Sequence, residues 1–402
     1  MRNIKAFLVA LLIFCITVQM FHLGIKKELP GYELSYGTWI NEAKFASTDG
    51  LDKMLASSQS IPIFGSSELR HGQKSKFHAN TIFKNADMEP VFIGQAGYQC
   101  LTHATTLGAL GDNLKGRKVV LIVSEQWFKK KGVREEAFGA AFSEDNYIRF
   151  LENPTIRQET KEYVMARTER LTSSNEVMNE RILRDNEWYG EKSEDALSNA
   201  QAKFHALYVK EKAQTRLLSE SMLFGKGKYK SKEDVTTNIV SNEDWADLYR
   251  AAEKKGGTIA GGNEFGMCNS AYTNSYQEIV EKGSVKRPGY TTNSVEFDDL
   301  ECFLKICKDE EITPLIVMLP FNGYWYDFAN YDSSKREAIY QKVLDISEKY
   351  GAECADLSGN EYAQYYFEDN SHLALKGLVD LNEHIYRFYQ EDEIVARKDK
   401  TK

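Results

Sequence analysis

Short apolar runs alternate with helical patterns in two parts of the sequence. Five runs have the length and composition of buried strands: residues 61–64, 91–94, 119–124, 314–320 and 353–357. Helical patterns lie between or after them, at residues 100–110, 295–310, 335–350 and 373–389. Apolar strands that alternate with helices are typical of a parallel sheet covered on both faces. We therefore predict a three-layer α/β/α fold.

The region between these two parts has a different pattern. From 128 to 290 the sequence is charged and mostly helical, for example at 156–171 and 194–218, and no clear strand pattern occurs. We predict that 61–127 and 291–392 form the sheet domain and that 128–290 is a large helical insertion. Two interpretations of the insertion stay open: a wall or lid over a site, or a solvated excursion without a catalytic part.

The N-terminus has the pattern of a membrane anchor. Residues 6–23 contain no charge, and a helix of that length spans roughly 27 Å, which is just enough for a bilayer core. A secretory signal peptide usually has a shorter apolar region and a small-residue cleavage site, which the sequence Gly24-Ile25-Lys26-Lys27 does not offer. We expect one transmembrane helix as an uncleaved anchor at 1–25, followed by a stalk at 26–60.

Charge suggests an orientation and disfavours one class of function. Arg2, Lys5 and the amino terminus narrowly outweigh Lys26 and Lys27, which favours an inside N-terminus and an extracellular domain. The net charge of −8 disfavours a general role in nucleic-acid binding. Neither a C-x-x-C pair nor a metal-ligand histidine spacing occurs, so we expect no metal and no other cofactor.

Three chemically useful side chains follow predicted strands, at the sheet edge where ligands bind in open parallel sheets. Ser67 follows the first strand, and Asp369 and His372 follow the fifth. A serine hydroxyl becomes nucleophilic when a histidine takes its proton and a carboxylate orients that histidine. We predict Ser67 as the nucleophile, His372 as the base and Asp369 as its carboxylate partner, with Ser66 as the second candidate nucleophile.

An acyl-transfer site also needs donors for the oxyanion that forms on the substrate carbonyl. The candidates are the main-chain N–H groups of Ser67 and Gly97 and the side-chain amide of Gln126. We also predict a substrate rim after the third and fourth strands, which consists of Trp127, Asn322, Tyr324 and Trp325. Ordinary core packing would also explain each of its aromatic residues. His71 and His78 are near enough to Ser67 in sequence to reach the site.

The sequence resembles the SGNH, or GDSL-like, hydrolase superfamily in three places: a glycine–serine turn after the first strand, a glycine after the second strand and Asp-x-x-His near the C-terminus. The G-x-S-x-G elbow of α/β-hydrolases is absent, because Leu69 stands where the second glycine would be. The resemblance implies an SGNH-like parallel sheet with Ser67 as nucleophile and Ser66 in place of an aspartate. The third block of that superfamily normally contains an asparagine, and this chain has none there.

A closer resemblance is to the DltD family of D-alanyl-lipoteichoic acid biosynthesis in Gram-positive bacteria. It covers nearly the whole chain, and the blocks that carry it are residues 64–69, 94–97, 124–128, 319–327 and 369–372. The resemblance implies a membrane-anchored extracellular protein that helps to esterify teichoic acid with D-alanine. It implies three partners: the teichoic acid polymer, a D-alanyl donor and a membrane O-acyltransferase. It also implies that Gln126 replaces the missing asparagine donor.

The predicted reaction is acyl transfer through a seryl ester. Two alternatives stay open, because the same residues would serve them. The first is an esterase or thioesterase that hydrolyses acyl groups at the cell envelope. The second is a scaffold or carrier-docking partner without a catalytic role.

Overall fold

The chain is built around one five-stranded parallel sheet. The computed structural model describes residues 2–28, 34–190, 196–224, 238–283 and 285–400. The strands are β1 (Ser60–Phe64), β2 (Glu89–Ile93), β3 (Lys118–Val123), β4 (Thr313–Met318) and β5 (Glu353–Asp356). Their spatial order is β2-β1-β3-β4-β5, with every neighbouring pair parallel. The predicted α/β fold is confirmed, since each predicted apolar run coincides with one strand.

Helices precede β1 and lie between the strands along the chain. Before β1 and between β1 and β3 these are α1 (Arg2–Glu28), α2 (Leu34–Gly37), α3 (Glu42–Phe45), α4 (Thr48–Met54), α5 (Ala79–Ile82) and α6 (Cys100–Leu110). Between β3 and β4 they are α7 (Glu135–Ala141), α8 (Glu144–Glu152), α9 (Gln158–Thr172), α10 (Glu176–Asp185), α11 (Ala196–Phe224), α12 (Asn242–Ile259), α13 (Asn269–Ala271), α14 (Gln277–Glu281) and α15 (Glu296–Asp309). The last three are α16 (Gly323–Phe328), α17 (Ser333–Lys349) and α18 (Leu375–Lys400).

Strands β1 to β4 are apolar at successive positions and are buried on both faces of the sheet, whereas the edge strand β5 is partly exposed. On β3, Val119 and Leu121 belong to one core cluster, whereas Val120 and Ile122 belong to the other. Side chains of α6 and α15 cover the first face, and side chains of α12 and α18 cover the second. This two-sided burial explains why the strands read as continuous apolar runs instead of alternating ones.

The helical segment between β3 and β4 leaves the sheet domain and returns to it at adjacent points. Lys129 and Tyr290 form an antiparallel bridge, and the Thr291 N–H donates to the Phe128 carbonyl at 2.9 Å. Buried side chains of α7 to α11 extend the core cluster on the α6 face. The segment is therefore packed into the domain, and the boundaries at residues 127 and 291 stay a prediction.

The N-terminal region contains the one helix, among the described residues, that is long and apolar enough to cross a membrane. That stretch is Ile4–Ile25, and its length and composition suit an anchor and a signal sequence alike. The predicted stalk includes residues 29–33, which lie outside the described residues. From α2 onward the chain packs on the domain: Lys44 is fully buried and donates to three main-chain carbonyls, those of Tyr36, Gly37 and Trp39.

Gly94, directly after β2, allows the β1 and β2 ends to meet. Its φ is +131°, and a Cβ at this position would lie 1.9 Å from the Gly65 carbonyl oxygen and 2.9 Å from His103 Cε1. A side chain is therefore excluded both by backbone conformation and by space. The two turns that follow β1 and β2 can approach each other only because this residue is glycine.

We expect Gly94→Ala to lower the free energy of unfolding by about 3 kcal/mol or more, because backbone strain adds to a steric clash. Gly116→Ala is the matched control: it also has positive φ, at +71°, but a Cβ there meets nothing within 4 Å. We expect about 1 kcal/mol for the control. Denaturant unfolding of the detergent-solubilised full chain measures both values, and equal losses would contradict the clash.

Candidate active site

Ser67 lies at the carboxyl edge of the sheet, where neighbouring connections diverge. β1 pairs with β2 on one side and with β3 on the other, so the turn after β1 lies at the topological switch point. The chain continues from β1 through Gly65 and Ser66 into a short 3₁₀ helix, Ser67–Leu69. The Ser66 N–H donates to the carboxylate of Glu68, which folds the turn back on itself.

A chain of short hydrogen bonds joins three of the predicted residues. Ser67 Oγ lies 2.8 Å from His372 Nε2, and His372 Nδ1 lies 2.7 Å from Asp369 Oδ2. The other carboxylate oxygen, Asp369 Oδ1, accepts the main-chain N–H groups of Ser371 and His372, each at 2.8 Å. The structure therefore brings together residues that are 305 positions apart in sequence.

The turn that carries Asp369 and His372 is closed at its base. Phe367 and Leu373 form an antiparallel bridge, and the Glu368 N–H donates to the His372 carbonyl at 2.8 Å. This closure explains why a three-residue spacing suffices: the turn directs one Asp369 oxygen at main-chain donors and the other at the imidazole ring. Contacts within this turn thus hold the Nδ1 edge of the ring.

Asp369 and His372 shift each other's protonation equilibria. Burial lowers the pKa of His372, but the hydrogen bond and negative charge of Asp369 outweigh it, so that pKa is raised overall. Burial raises the pKa of Asp369, but its bonds to His372 and to two main-chain N–H groups outweigh that effect and lower the pKa. Both directions favour an ionised carboxylate beside an imidazole that accepts a proton readily.

The helical segment between β3 and β4 braces the same turn from outside. Tyr276 Oη donates to Asn370 Oδ1 at 2.7 Å, and the Cys268 N–H donates to the Glu368 carbonyl at 3.1 Å. Asn322 Nδ2 donates to the Asp369 carbonyl at 3.2 Å and to the Phe265 carbonyl at 3.1 Å. The segment is therefore in contact with the site, which argues against a purely solvated excursion.

The three candidate oxyanion donors differ in how they are engaged. The Gly97 N–H donates to Ser66 Oγ at 3.2 Å, so Ser66 occupies that donor. The Ser67 N–H opens a 3₁₀ helix, and N–H groups in a first turn have no acceptor within the helix. The Gln126 side chain is half-buried and has no hydrogen-bond partner among the described residues.

The four residues of the predicted substrate rim lie in different environments. Trp127, Asn322 and Trp325 are buried, and only Tyr324 is exposed, at 38%. Trp325 packs edge-on against Tyr276, with ring centroids 4.7 Å apart. The two tryptophans thus pack in the core and do not form an open surface. Of the four predicted rim residues, Tyr324 alone is exposed to solvent.

Sequence reasoning did not assign Glu68 and Glu125 to the site, although both follow strands. Each is buried, and each has one carboxyl oxygen without a hydrogen-bond partner in the described part of the chain. Burial raises the pKa of Glu68, and it raises the pKa of Glu125 to about 8, so Glu125 is mostly protonated at neutral pH. The one signal in the sequence is a glutamate shortly after a buried strand, since β1 ends at Phe64 and β3 at Val123.

One cluster in the described residues has the side-chain types and spacing of a metal site. Glu144, Asp185 and His205 have ligand atoms within 4.8 Å of one another. The Arg184 guanidinium already donates to Glu144 at 2.9 Å and to Asp185 at 2.8 Å. We therefore describe the cluster as an ion-paired network within the helical segment.

We expect Glu125→Gln to stabilise the protein increasingly as pH rises. The unfolded chain loses the Glu125 proton near pH 4.5 and the folded chain only near 8, so the wild type loses stability between these values, by about 1.4 kcal/mol for each unit of pKa difference. Denaturant unfolding at pH 5 and pH 8 measures this effect. Glu136→Gln, at an exposed position of α7, is the control, and a pH-independent gain for Glu125→Gln would contradict the raised pKa.

The sequence matches one protein family over most of its length. A family model described as DltD protein matches residues 37–390. The chain is 31% identical to Protein DltD of Bacillus subtilis (strain 168), over 89% of this chain and 90% of that protein. It is 27% identical to Protein DltD of Staphylococcus aureus (strain NCTC 8325 / PS 47), over 83% of this chain and 82% of that protein. From the residues matched and the length covered, this chain belongs to the DltD protein family.

Proposed function

We propose that the protein transfers D-alanyl groups to lipoteichoic acid through an ester on Ser67. The observation that supports this most directly is the hydrogen-bonded series from Ser67 through His372 to Asp369, at the sheet edge of a DltD family member. The resemblance to this family suggests D-alanine as the acyl group and lipoteichoic acid as the acceptor. The geometry supports a reaction through a seryl ester.

The first half of the reaction forms the seryl ester. Ser67 Oγ attacks the carbonyl carbon of an activated D-alanyl ester or thioester while its proton passes to His372 Nε2. The bond to the leaving group then breaks, and His372 returns the proton to that group. Asp369 holds the ring by Nδ1 and stabilises the imidazolium during the step.

The second half transfers the acyl group to the acceptor. His372 takes the proton of a glycerol hydroxyl, whose oxygen attacks the seryl ester, and the proton returns to Ser67 Oγ as the bond to Ser67 breaks. The Ser67 N–H and the Gln126 amide are the two free candidate donors for the oxyanion in both halves. Gly97 contributes as a third donor once the Ser66 hydroxyl rotates away from its N–H.

The reaction would take place at the outer surface of the membrane. Ile4–Ile25 serves as the anchor, and the domain lies outside the cell, where teichoic acid is found. A membrane O-acyltransferase of the same pathway would be the natural partner, because the acyl group must reach an extracellular serine. No cofactor enters either half of the reaction.

We expect Ser67→Ala to reduce D-alanine on the teichoic acid of complemented cells to the level of a deletion strain, because within the described parts of the chain only the Ser67 hydroxyl is hydrogen-bonded to His372. Alkaline release and quantification of D-alanine measures this. In the purified wild type, mass spectrometry should show Ser67 carrying one added alanyl group after exposure to a D-alanyl thioester.

Ser173→Ala, which changes an exposed serine at the end of α9, controls for expression and should leave D-alanylation unchanged. Full D-alanylation by Ser67→Ala would reject the mechanism and favour a scaffold role. Release of free D-alanine by the wild type, at the same rate with and without a glycerol-phosphate acceptor, would favour hydrolysis over transfer.

The rate of Ser67 acylation should fall as pH decreases through the pKa of His372, since only the neutral imidazole accepts the serine proton. Asp369→Asn removes the charge that raises this pKa, so the midpoint should move to lower pH and the maximal rate should fall by about 10³- to 10⁴-fold. Acylation by 4-nitrophenyl acetate, followed across pH, measures both effects. An unchanged midpoint in Asp369→Asn would contradict the assignment.

A further inference from the structure

A second histidine ring lies flat against the ring of His372. The rings of His71 and His372 are stacked, with centroids 3.7 Å apart and planes 11° from parallel. The Nδ1 atom of His71 lies 3.0 Å from Glu368 Oε2. The site therefore contains two stacked histidines, each bound through Nδ1 to one of two successive carboxylates, Glu368 and Asp369.

Both members of this second pair are attached to the reacting segments. The His71 N–H donates to the Ser67 carbonyl at 3.3 Å, so His71 follows the 3₁₀ turn that carries the hydroxyl. Glu368 belongs to the closed turn that carries His372, through its own N–H bond to the His372 carbonyl. The stack thus links the serine turn to the histidine turn through one face of the His372 ring. Both hydrogen bonds of His372 are made at the edge of that ring.

We propose that His71, held by Glu368, is a positioning residue for His372. This inference depends on the acyl-transfer function proposed above. Asp369 fixes one edge of the His372 ring but leaves it free to tilt about the Nδ1 bond, and the flat contact with His71 removes that freedom. A base that is misaligned with its proton by a small amount loses much of its rate, so ring alignment is a direct lever on catalysis.

The surroundings of the stack also suit the charge that His372 acquires. When Ser67 loses its proton, His372 becomes a cation, and nearby acidic groups favour that cation. Among the described residues, the acidic groups bonded to the two rings are Asp369 and Glu368, and Glu68 and Glu125 act on His372 through their charge. All four are acidic, so none of them would repel the imidazolium that His71 covers.

The pair is not explained by packing of the core. The side chains of His71 and Glu368 are 29% and 37% exposed, and a polar contact with this exposure contributes little to stability. What distinguishes this surface pair from others is the single ring against which it lies.

Two substitutions separate the flat contact from the polar one. His71→Phe keeps a flat ring and loses Nδ1, whereas His71→Ala loses both. With 4-nitrophenyl acetate and the detergent-solubilised full chain, we expect kcat to fall about tenfold in His71→Ala and to stay within about threefold of wild type in His71→Phe, with KM unchanged in both. His384→Ala, which removes a histidine paired with Asp380 on α18, is the matched control and should leave kcat unchanged.

A spectroscopic readout tests positioning independently of turnover. The Nδ1 proton shared by His372 and Asp369 should give a downfield proton NMR signal in wild type, His71→Phe and His384→Ala, and exchange should broaden it in His71→Ala. If the four proteins give these signals but the wild type does not form an ester on Ser67, the proposed function fails while the positioning inference holds. If kcat and the signal in His71→Ala match wild type, or if His71→Phe loses as much as His71→Ala, the inference is overturned.

Discussion

Parallel pairing of β1 with strands on both of its sides is the constraint on which the site depends. It places the ends of β1, β2 and β3 at one edge, and β4 and β5 extend that edge to the turn that carries His372. Gly94 allows close packing of the turns that follow β1 and β2, so that Ser67 lies near the loop that contains Gly97. The serine and the histidine meet because the sheet aligns their strands, and no direct connection between them is needed.

The charges at this edge are sorted by their hydrogen bonds. Asp369 accepts two main-chain N–H groups and the imidazole, so it remains ionised although it is largely buried. Glu125 is more deeply buried and has fewer donors, so its pKa rises to about 8. Two carboxyl groups at the same edge of the sheet thus adopt opposite protonation states. Asp369 directs a negative charge at His372, whereas Glu125 is mostly protonated at neutral pH.

Much of this arrangement could be predicted from the sequence, and the remainder could not for identifiable reasons. Runs of successive apolar residues indicated buried parallel strands, and polar residues that follow the first and fifth of these runs indicated the meeting of Ser67, Asp369 and His372. Aromatic residues near strand ends carry no mark of whether they face the core or the solvent, so Trp127 and Trp325 could not be told from a surface ledge. The stacking of His71 on His372 depends on two turns that meet only after folding, and no spacing in the sequence encodes it.

The bracing of the histidine turn by distant helices separates the support of this turn from that of the sheet. Tyr276 and Cys268 hold that turn through one side-chain bond and one main-chain bond, both from a region that is about 100 residues earlier in the chain and outside the sheet. Local opening of this region would release Asn370 and Glu368 while β1 to β5 kept their pairing. The support of the histidine turn and the pairing of the strands therefore depend on different parts of the chain.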